Sequence, residues 1–405
     1  MRTVEEHLQA VLTGVLPLSP LEVTLVDARG CVLAEDVVAP WPLPPFDTAS
    51  IDGYAVKAAD LLAASDGIPA VLPVVDDVPA GYRASVELLP GTAIRIMAGA
   101  PMPEGAEAVV PFAWTDSGMP EVRIVRAIAL GTNVRSRGAD VPLHEVVARA
   151  GSILGPREIA LLASVGLGSV SVHPQPRVVV LSTGNELVEP GGGLLPGLVP
   201  DSNGVTIAAA VQEAGAIAYR VGPIPDDPAP LMSTIEDQLV RADLIVTTGG
   251  VSATAYDTVK EVLSRLGTVE FTTVAMQPGM PQGHGVLGPD QTLIFVLPGN
   301  PVSAYVSFEI FVRPVIRRML GHQRIHRPVV RAVLSEALPS PAGKRQFARG
   351  VLSIEDGRYV VSPAAGRGSH VLGALANSNA LVVVPEGVTE VLPGAAVAVI
   401  RLDEV

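Results

Sequence analysis

Four short segments, rich in glycine, proline and polar residues, each follow an apolar and mostly β-branched run of the sequence. Backbone N–H groups exposed at such turns, together with the helix N-termini that follow them, can hold a phosphate or another oxyanion. A single glycine turn is weak evidence, because glycine serves in any tight turn. Four of them together favour a ligand-binding crevice. The segments are STGNEL (182–187), PIPDD (223–227), TTGGVS (247–252) and LPGNPVS (297–303).

Carboxylates accumulate in and beside these segments, at Glu186, Asp226, Asp227 and Asp257. Acids beside phosphate-binding turns commonly hold Mg²⁺, which takes one or two carboxylates together with substrate oxygens. The alternative role is helix capping, since an aspartate at the start of a helix accepts backbone N–H bonds. Asp227, which precedes Pro228, suits capping well, and Asp257 can also cap the helix after it. Glu186 suits capping less well and is the preferred functional carboxylate.

Two further loops carry polar residues without an evident packing reason. ASIDGYAV (49–56) places Asp52 before a glycine, which alone is an ordinary turn. NVRSRGAD (133–140) brings Arg135, Arg137 and Asp140 together. Arginines two apart in an extended segment point the same way and can grip a phosphate. A solvated loop is the simpler interpretation of each segment taken alone.

The strands and helices that must position the glycine turns alternate from Arg177 onward. Apolar runs such as RVVVLSTG and DLIVTTGG end in glycine, and helical segments are predicted among them at 205–214, 230–240, 259–266 and 302–320. This alternation predicts a doubly wound, mostly parallel α/β sheet, and VEFTTVAM with GVLGPDQTLIF adds a hairpin at one edge. Ligands of such open sheets bind beyond the carboxyl ends of the strands, where the glycine turns lie.

The rest of the chain predicts smaller units around this sheet. Residues 1–40 begin with an amphipathic helix, 53–141 contain short β-prone runs separated by Gly/Pro turns, and 155–166 read as a second helix. Residues 328–405 alternate apolar and polar positions with a turn about every ten residues, which predicts a small β-barrel or sandwich. The basic segment GHQRIHR (321–327) is the candidate linker into that unit.

Composition excludes several functions. The net charge of −13 argues against a nucleic-acid partner, because phosphate backbones are held by clustered lysine and arginine. Cys31 is the only cysteine, so the chain can form neither an internal disulfide nor a thiolate metal site. His322 and His326 have helical metal-pair spacing but no evident third ligand. With no signal-peptide pattern and no long apolar run, we expect a cytoplasmic protein without a membrane span.

Around ten of these segments, in this order, resemble the signature segments of MoeA and the gephyrin E domain. They cover essentially the whole chain: FDTASIDGYAV, RIMAGAPMPEGAEAVV, NVRSRGAD, STGNEL, DSNG, PDDP, TTGGVS with YDTVK, LPGNPVS, FARGVL and GRGSH. The resemblance implies a multidomain α/β and β protein. Its expected domains are a discontinuous elongated linker and dimerisation domain (1–40 and 142–172), a β-rich insertion (41–141), a doubly wound, mostly parallel α/β molybdopterin-binding domain (173–327) and a C-terminal β-barrel (328–405).

The resemblance also implies an activity: Mg²⁺-dependent insertion of molybdate into adenylylated molybdopterin, with release of AMP. It implies a homodimer whose cleft lies between the α/β domain of one subunit and the β-rich domain of the other. The molybdopterin adenylyltransferase is a further expected partner. The implied catalytic acids are Asp52, Asp140, Glu186, Asp227 and Asp257, with Glu186 and Asp257 as metal ligands. The implied substrate-binding residues are Arg137, Ser182, Gly184, Gly249, Gly250, Ser252, Pro298, Gly299, Asn300, Ser303, Arg349 and Ser369, of which Ser303, Arg349 and Ser369 match the molybdate-holding residues.

The sequence also departs from the family pattern. Both lysines of the usual K-P-G-K-P segment are replaced, by Gln277 and Met280, and Ala98 and Asn185 stand where a threonine and an aspartate are usual. The molybdate pocket is therefore expected to be less cationic, with Arg349 carrying more of its charge. A catalytically weak paralog that binds molybdopterin as a carrier or scaffold is the alternative function. A generic nucleotide hydrolase is a third, but it leaves the β-rich and barrel segments unexplained.

Overall fold

The structure is a computed structural model that describes residues 1–250, 257–364 and 371–403, without the side chain of Asp257. The chain forms two compact units. The first contains Met1–Leu21, Gly30–Ala34 and Ser171–Val405, and the second contains Glu22–Arg29 and Glu35–Val170. The four-domain division expected from the resemblance stays a prediction.

The helices of the described residues are mostly short. They are α1 (Val4–Leu12), α2 (Pro156–Ser164), α3 (Ser202–Glu213), α4 (Pro228–Leu239), α5 (Asp257–Leu266), α6 (Pro301–Ser307), α7 (Arg313–Met319) and α8 (Leu372–Ala376). Single 3₁₀ turns lie at Ala58–Leu61 and Phe112–Trp114. No helix among the residues described is long and apolar enough to cross a membrane.

The strands are numbered in chain order. The first twelve are β1 (Leu21–Thr24), β2 (Val32–Leu33), β3 (Val37–Val38), β4 (Thr48–Ala49), β5 (Gly53–Val56), β6 (Ala70–Val78), β7 (Ala93–Ile96), β8 (Ala108–Pro111), β9 (Glu121–Ile124), β10 (Val134–Arg135), β11 (Val146–Ala148) and β12 (Ser169–His173). The next nine are β13 (Arg177–Thr183), β14 (Leu187–Val188), β15 (Val199–Pro200), β16 (Ile217–Ile224), β17 (Leu244–Thr248), β18 (Gly267–Thr273), β19 (Met276–Gln277), β20 (Pro281–Leu287) and β21 (Thr292–Leu297). The last seven are β22 (Val329–Leu334), β23 (Leu338–Pro339), β24 (Arg345–Glu355), β25 (Arg358–Pro363), β26 (Ala380–Val384), β27 (Glu390–Val391) and β28 (Ala396–Arg401).

A six-stranded sheet in the order β16-β13-β17-β21-β20-β18 organises the first unit. The strands β16, β13, β17 and β21 are parallel, whereas β20 and β18 add an antiparallel edge. The doubly wound, mostly parallel sheet and its edge hairpin are thereby confirmed. The chain leaves β13 first to one side and then to the other, so a topological switch point lies beside β13, where ligands of such sheets bind.

Alternate residues of the buried strands face opposite layers of helices. Val178 and Val180 of β13 pack in one apolar cluster with Ile207 of α3. Val179 and Leu181 pack in another cluster that contains residues of α4 and α5. Because successive side chains of a strand point to opposite faces, a run such as RVVVL is apolar throughout when helices cover both faces.

The helical segment predicted at 302–320 is interrupted by a π-helical turn at Phe308–Val312, which separates α6 from α7. Pro314 follows this turn and has no N–H to donate to the helix, so a local change of hydrogen-bond register accommodates it. The basic segment after α7 is partly buried: Arg324 and His326 are exposed, whereas His322 and Arg327 are buried. Arg327 is buried, where its guanidinium donates to Glu309 (Nε–Oε2 2.7 Å) and to Glu213.

The C-terminal strands close into a five-stranded barrel. Its order is β24-β25-β22-β28-β26, and β26 pairs back onto β24. Of the two predicted alternatives, barrel or sandwich, the barrel is confirmed. The short strand β19, which follows the edge of the six-stranded sheet in sequence, runs parallel to β24 through Gln277 and Gln346.

The second unit is strand-rich, as the sequence predicts. Its largest sheet has the order β8-β5-β7-β6-β9 and buries Tyr54, Val110 and Ile124 in one apolar cluster. A separate pair, β4 with β10, places Thr48 opposite Arg135. This pair brings the loop that contains Asp52 close in space to the loop that contains Arg137.

Candidate active site

The glycine turns after β13, β17 and β21 meet at the carboxyl edge of the six-stranded sheet. The Gly249 N–H donates to the Leu297 carbonyl (3.1 Å), which joins the ends of β17 and β21. The Asn203 side chain donates to the Gly299 carbonyl (2.7 Å), which joins the start of α3 to the same turn. The sequence therefore predicted correctly that these turns are neighbours.

The close approach of these turns requires glycine at positions 249 and 250. Their φ angles are +100° and +74°, which side chains rarely allow. A Cβ at Gly249 would lie 2.8 Å from the Thr183 carbonyl oxygen, and one at Gly250 would lie 2.3 Å from Val259. The turn after β17 thus brings its backbone directly against the end of β13.

Two polar side chains of the predicted set, Ser182 and Ser303, are buried at this edge. Ser182 is fully buried and its hydroxyl accepts from Thr248 Oγ1 (3.2 Å). Ser303 is also buried, and its N–H donates to Asn300 Oδ1 (3.3 Å), which caps α6. Pro298 is buried in the turn before it.

Three buried side-chain oxygens near the edge have no hydrogen-bond partner within the part of the chain that the structure describes. They are Thr183 Oγ1, Asn203 Oδ1 and Thr247 Oγ1. Most buried polar atoms are hydrogen-bonded, and exceptions concentrate where a ligand, an ion or ordered water completes the set. These oxygens are a second sign, independent of the glycines, that the edge binds a polar ligand.

Two carboxylates face each other across the turns after β13 and β16. Glu186 lies against Gly184, where a Cβ would come within 2.5 Å of its carboxylate. Asn185 Oδ1 accepts from the Asp226 N–H (3.1 Å), which joins the two turns. Loss of hydration and the nearby charge of Glu186 raise the pKa of Asp226.

This pair fits the donor chemistry of Mg²⁺. The ion takes carboxylate oxygens and usually only one or two of them when a substrate phosphate supplies the rest. A cation between Glu186 and Asp226 would also relieve the repulsion that raises the pKa of Asp226. Within the described residues no group of three or more potential metal-ligating side chains comes together.

Asp227 has a different position from its neighbour. Its Oδ1 accepts from the Ala229 N–H (3.1 Å) and caps α4, as the capping alternative expected. Its catalytic role stays a prediction. Asp226, one residue earlier, is the carboxylate that faces Glu186. The sequence motif contained both acids, and proline after Asp227 was the one local signal that separates the capping residue from the other.

Three predicted site residues lie partly or wholly outside the described structure. Ser252 and Ser369 fall in the segments 251–256 and 365–370, which the structure does not describe. Asp257 begins α5, but its side chain is outside the description. Their predicted roles in substrate or metal binding stay predictions.

Arg349 lies on β24 of the barrel. Its Nη1 donates to the Val371 carbonyl (2.7 Å), at the end of the segment that contains Ser369. Partial burial lowers the pKa of the Arg349 guanidinium. The guanidinium is therefore held at Val371, the residue after the segment 365–370, which lies outside the described residues.

The segment that lacks the usual lysines is well ordered by backbone contacts. The Met280 carbonyl accepts from the Val274 N–H (2.7 Å). Gln282 Nε2 donates to the Gly279 carbonyl and to Ser307 Oγ, at 2.6 Å each. These contacts do not involve the side chains at positions 277 and 280, so they do not require lysine at either position.

The second unit holds Asp52, Arg137 and Asp140. Asp52 Oδ1 accepts from the Ala98 N–H (2.7 Å), a bond that does not depend on the residue type at position 98. The Arg137 N–H donates to Asp47 Oδ1 (2.7 Å), and its exposed guanidinium lines a cavity of about 730 Å³ with Arg83. Asp140 is also exposed, and its N–H donates to the Leu43 carbonyl (2.9 Å).

These observations define a class: a doubly wound α/β unit with a polar crevice at its carboxyl edge, joined to a β-barrel and a strand-rich unit. Three sequence families match the chain: the MoeA N-terminal region (domain I and II) at residues 2–166, the probable molybdopterin-binding domain at 179–318, and the MoeA C-terminal region (domain IV) at 331–402. The chain belongs to the MoeA family.

Individual relatives are similar over nearly the whole length. Molybdopterin molybdenumtransferase 2 of Mycobacterium tuberculosis is 45% identical over 97% of this chain and 98% of its own. Molybdopterin molybdenumtransferase 1 of the same organism is 41% identical over 97% of each. A crystal structure of a molybdopterin biosynthesis MoeA protein from Pyrococcus horikoshii superposes with a TM-score of 0.82 at 32% identity, over 99% of both chains.

Proposed function

We propose that this protein is a molybdopterin molybdenumtransferase of molybdenum cofactor biosynthesis. The substrates are adenylylated molybdopterin and molybdate, and the products are molybdenum cofactor and AMP. The observation that carries the proposal is the facing pair Glu186 and Asp226 beside the glycine turns at the switch point of the sheet. The names of relatives that align over nearly the full chain support the same reaction.

The residues at the carboxyl edge have separate tasks in this reaction. The turns at Gly184, Gly249–Gly250 and Gly299 present backbone to the pterin phosphate and the adenylate. Glu186 and Asp226 would hold Mg²⁺, and the ion would supply positive charge to neutralise the phosphoanhydride. Arg349 attracts molybdate toward the pterin sulfurs.

A homodimeric arrangement, which the resemblance implies, is part of this proposal. Asp52, Arg137 and Asp140 belong to a unit that is compact by itself. In the proposed dimer they complete the cleft of the partner subunit, with Arg137 holding a substrate phosphate. Cytoplasmic location and an encounter with the molybdopterin adenylyltransferase stay predictions from the sequence.

The carrier or scaffold alternative is favoured by one observation. Gln277 and Met280 stand where the family pattern has two lysines, so this turn lacks two positive charges. A weaker charge would reduce molybdate affinity without preventing pterin binding. We therefore expect Arg349→Ala to reduce molybdate affinity by at least tenfold, since no lysine supports it; tight binding unaffected by this change would contradict the altered pocket.

The test is a reaction of the purified protein with molybdopterin adenylate, Mg²⁺ and molybdate, followed as AMP released and active cofactor formed. Molybdate-dependent AMP release establishes the transferase. Tight adenylate binding without turnover establishes the carrier instead. ATP hydrolysis without any pterin would indicate a nucleotide hydrolase and contradict both.

A further inference from the structure

Arg220 forms an ion-pair network that none of the predicted site residues includes. Its Nη1 and Nη2 donate to the two carboxylate oxygens of Glu189, at 2.5 Å and 2.6 Å. Nη2 also donates to Asp201 Oδ2 (3.1 Å), and the Asp201 side chain is fully buried. Bidentate arginine–carboxylate pairs fix geometry as well as contribute energy.

Glu189 and Asp201, the two carboxylates that pair with Arg220, flank the connection between β14 and β15. Glu189 follows β14, and Asp201 follows β15, which runs parallel to β14. Between them lies the exposed segment EPGGGLLPGL (189–198), whose glycines and prolines supply few packing contacts. The Val199 N–H donates to the Glu186 carbonyl (2.8 Å), so the same connection determines the backbone position of Glu186.

Asp201 links Arg220 to the N-terminus of α3. Its Oδ1 accepts from the Gly204 N–H (2.8 Å) and caps α3, while its Oδ2 is held by Arg220. A Cβ at Gly204 would lie 2.3 Å from Asp201 Oδ2 and 2.8 Å from Arg220 Nε. The Arg220 guanidinium and the capping carboxylate of Asp201 are therefore packed against Gly204, which leaves no room for a side chain there.

Arg220 also lies on the strand that leads to the second carboxylate. It is part of β16, opposite Val180 of β13, and β16 ends at Ile224, two residues before Asp226. One side chain thus joins β16, the strand that precedes Asp226, to Glu189 and Asp201, which flank the connection hydrogen-bonded to the Glu186 carbonyl. The Asn185 side chain forms a second link between these segments, because its Oδ1 accepts from the Asp226 N–H (3.1 Å).

We propose that Arg220 is a positioning residue for the Glu186–Asp226 carboxylate pair, acting through Glu189 and Asp201. It fixes the distance between the two acids and so sets the affinity of the edge for a divalent cation and nucleotide phosphate. The inference rests on the proposed function for the identity of that ligand. Side chains that orient metal ligands in this way typically change metal affinity or activity by about 10–100-fold when removed.

The matched control is Arg177, at the opposite end of the same sheet. It also forms a bidentate pair, with Asp243 (Nε–Oδ2 3.1 Å, Nη2–Oδ1 2.9 Å). Arg220→Gln removes the pairs with Glu189 and Asp201, and Arg177→Gln removes the pair with Asp243. Only the first is expected to disturb Glu186. Arg220→Lys keeps the charge and should recover part of the loss.

The experiment has two readouts on full-length protein. Amide hydrogen exchange should rise at least tenfold across 184–201 in Arg220→Gln and stay unchanged there in Arg177→Gln. Mn²⁺ binding in the presence of AMP, followed by electron paramagnetic resonance, should weaken about 10–100-fold in Arg220→Gln alone. Equal exchange in the two variants, or faster exchange with unchanged Mn²⁺ affinity, would overturn the inference.

The two readouts also separate this inference from the proposed function. Failure of the wild-type protein to release AMP would reject the transferase, while the exchange and Mn²⁺ results would still decide the role of Arg220. If the wild-type protein bound no Mn²⁺ at all while AMP release proceeded, the positioning role would be rejected and the transferase retained.

Discussion

The two edges of the six-stranded sheet carry similar ion pairs with different consequences. At the amino edge, Arg177 and Asp243 join the starts of the neighbouring strands β13 and β17, and their backbones are hydrogen-bonded as well. At the carboxyl edge, Arg220 joins a strand to a connection and a helix cap. The Arg177–Asp243 pair adds to strands that are already hydrogen-bonded through their backbones. The Arg220 pairs instead fix polar turns that make few packing contacts of their own.

This difference shows where the sheet tolerates irregular backbone. The carboxyl edge combines positive-φ glycines, unpartnered buried oxygens within the described residues and two repelling carboxylates. Each of these features costs stability. Such costs persist in folded proteins chiefly where they serve binding or catalysis.

The largest expected effect on stability comes from Gly249→Ala, with Gly215→Ala as its control. Both glycines have a φ of +100°. A Cβ at Gly249 meets the rigid Thr183 carbonyl at 2.8 Å, whereas one at Gly215 meets the end of the Leu320 side chain at 3.1 Å. We expect losses of about 3 kcal/mol and about 1–2 kcal/mol in the free energy of unfolding. Equal losses in a denaturant titration would contradict the tight packing of this turn.

Buried His7 should make the free energy of unfolding depend on pH in the acid range. His7 is 1% exposed, and burial together with His284 and Arg2 lowers its pKa to about 3. A base with a lowered pKa contributes stability that is complete above its unfolded value and is lost as the pH falls toward the folded one. From pH 7 to pH 5 this contribution of His7 to the free energy of unfolding should fall by roughly 2 kcal/mol.

The variant His7→Phe checks this assignment, because a phenyl ring can keep the edge-to-face contact with Phe311. We expect it to remove the His7 share of the acid loss of stability, measured by thermal unfolding. His322, whose pKa burial lowers to about 4, and His284, whose pKa burial also lowers, keep their own contributions in this variant. An unchanged acid dependence of stability would show that His7 is not its source.

The smallest effects differ in sign between the two edges. Asp226 has a raised pKa, so its charged form is disfavoured in the folded protein, and Asp226→Asn should stabilise by a few tenths of a kcal/mol. Asp243→Asn loses an ion pair and should destabilise by about 1 kcal/mol. Melting temperatures of the two variants compare them directly. Destabilisation by both would mean that Asp226 is held by favourable contacts rather than by repulsion.

Much of the carboxyl edge could be predicted from the sequence, because it depends on local patterns. Uniformly apolar runs indicate parallel strands with both faces covered, and the glycines after them identify the turns. The assignment of Asp226 rather than Asp227 to the crevice required the helix cap to be seen. The partnership of Arg220 with Glu189 and Asp201 joins residues 31 and 19 apart. No periodicity of the sequence specifies such contacts.

The most direct test of the central claim compares Glu186→Gln with Asp243→Asn in the molybdopterin adenylate reaction. The two variants each remove one carboxylate charge, from opposite edges of one sheet. If the carboxyl edge is the active site, Glu186→Gln should lower molybdate-dependent AMP release by about 10²–10⁴-fold, and Asp243→Asn should leave it within about twofold because a surface ion pair contributes little to the site. Wild-type turnover in Glu186→Gln would contradict the account.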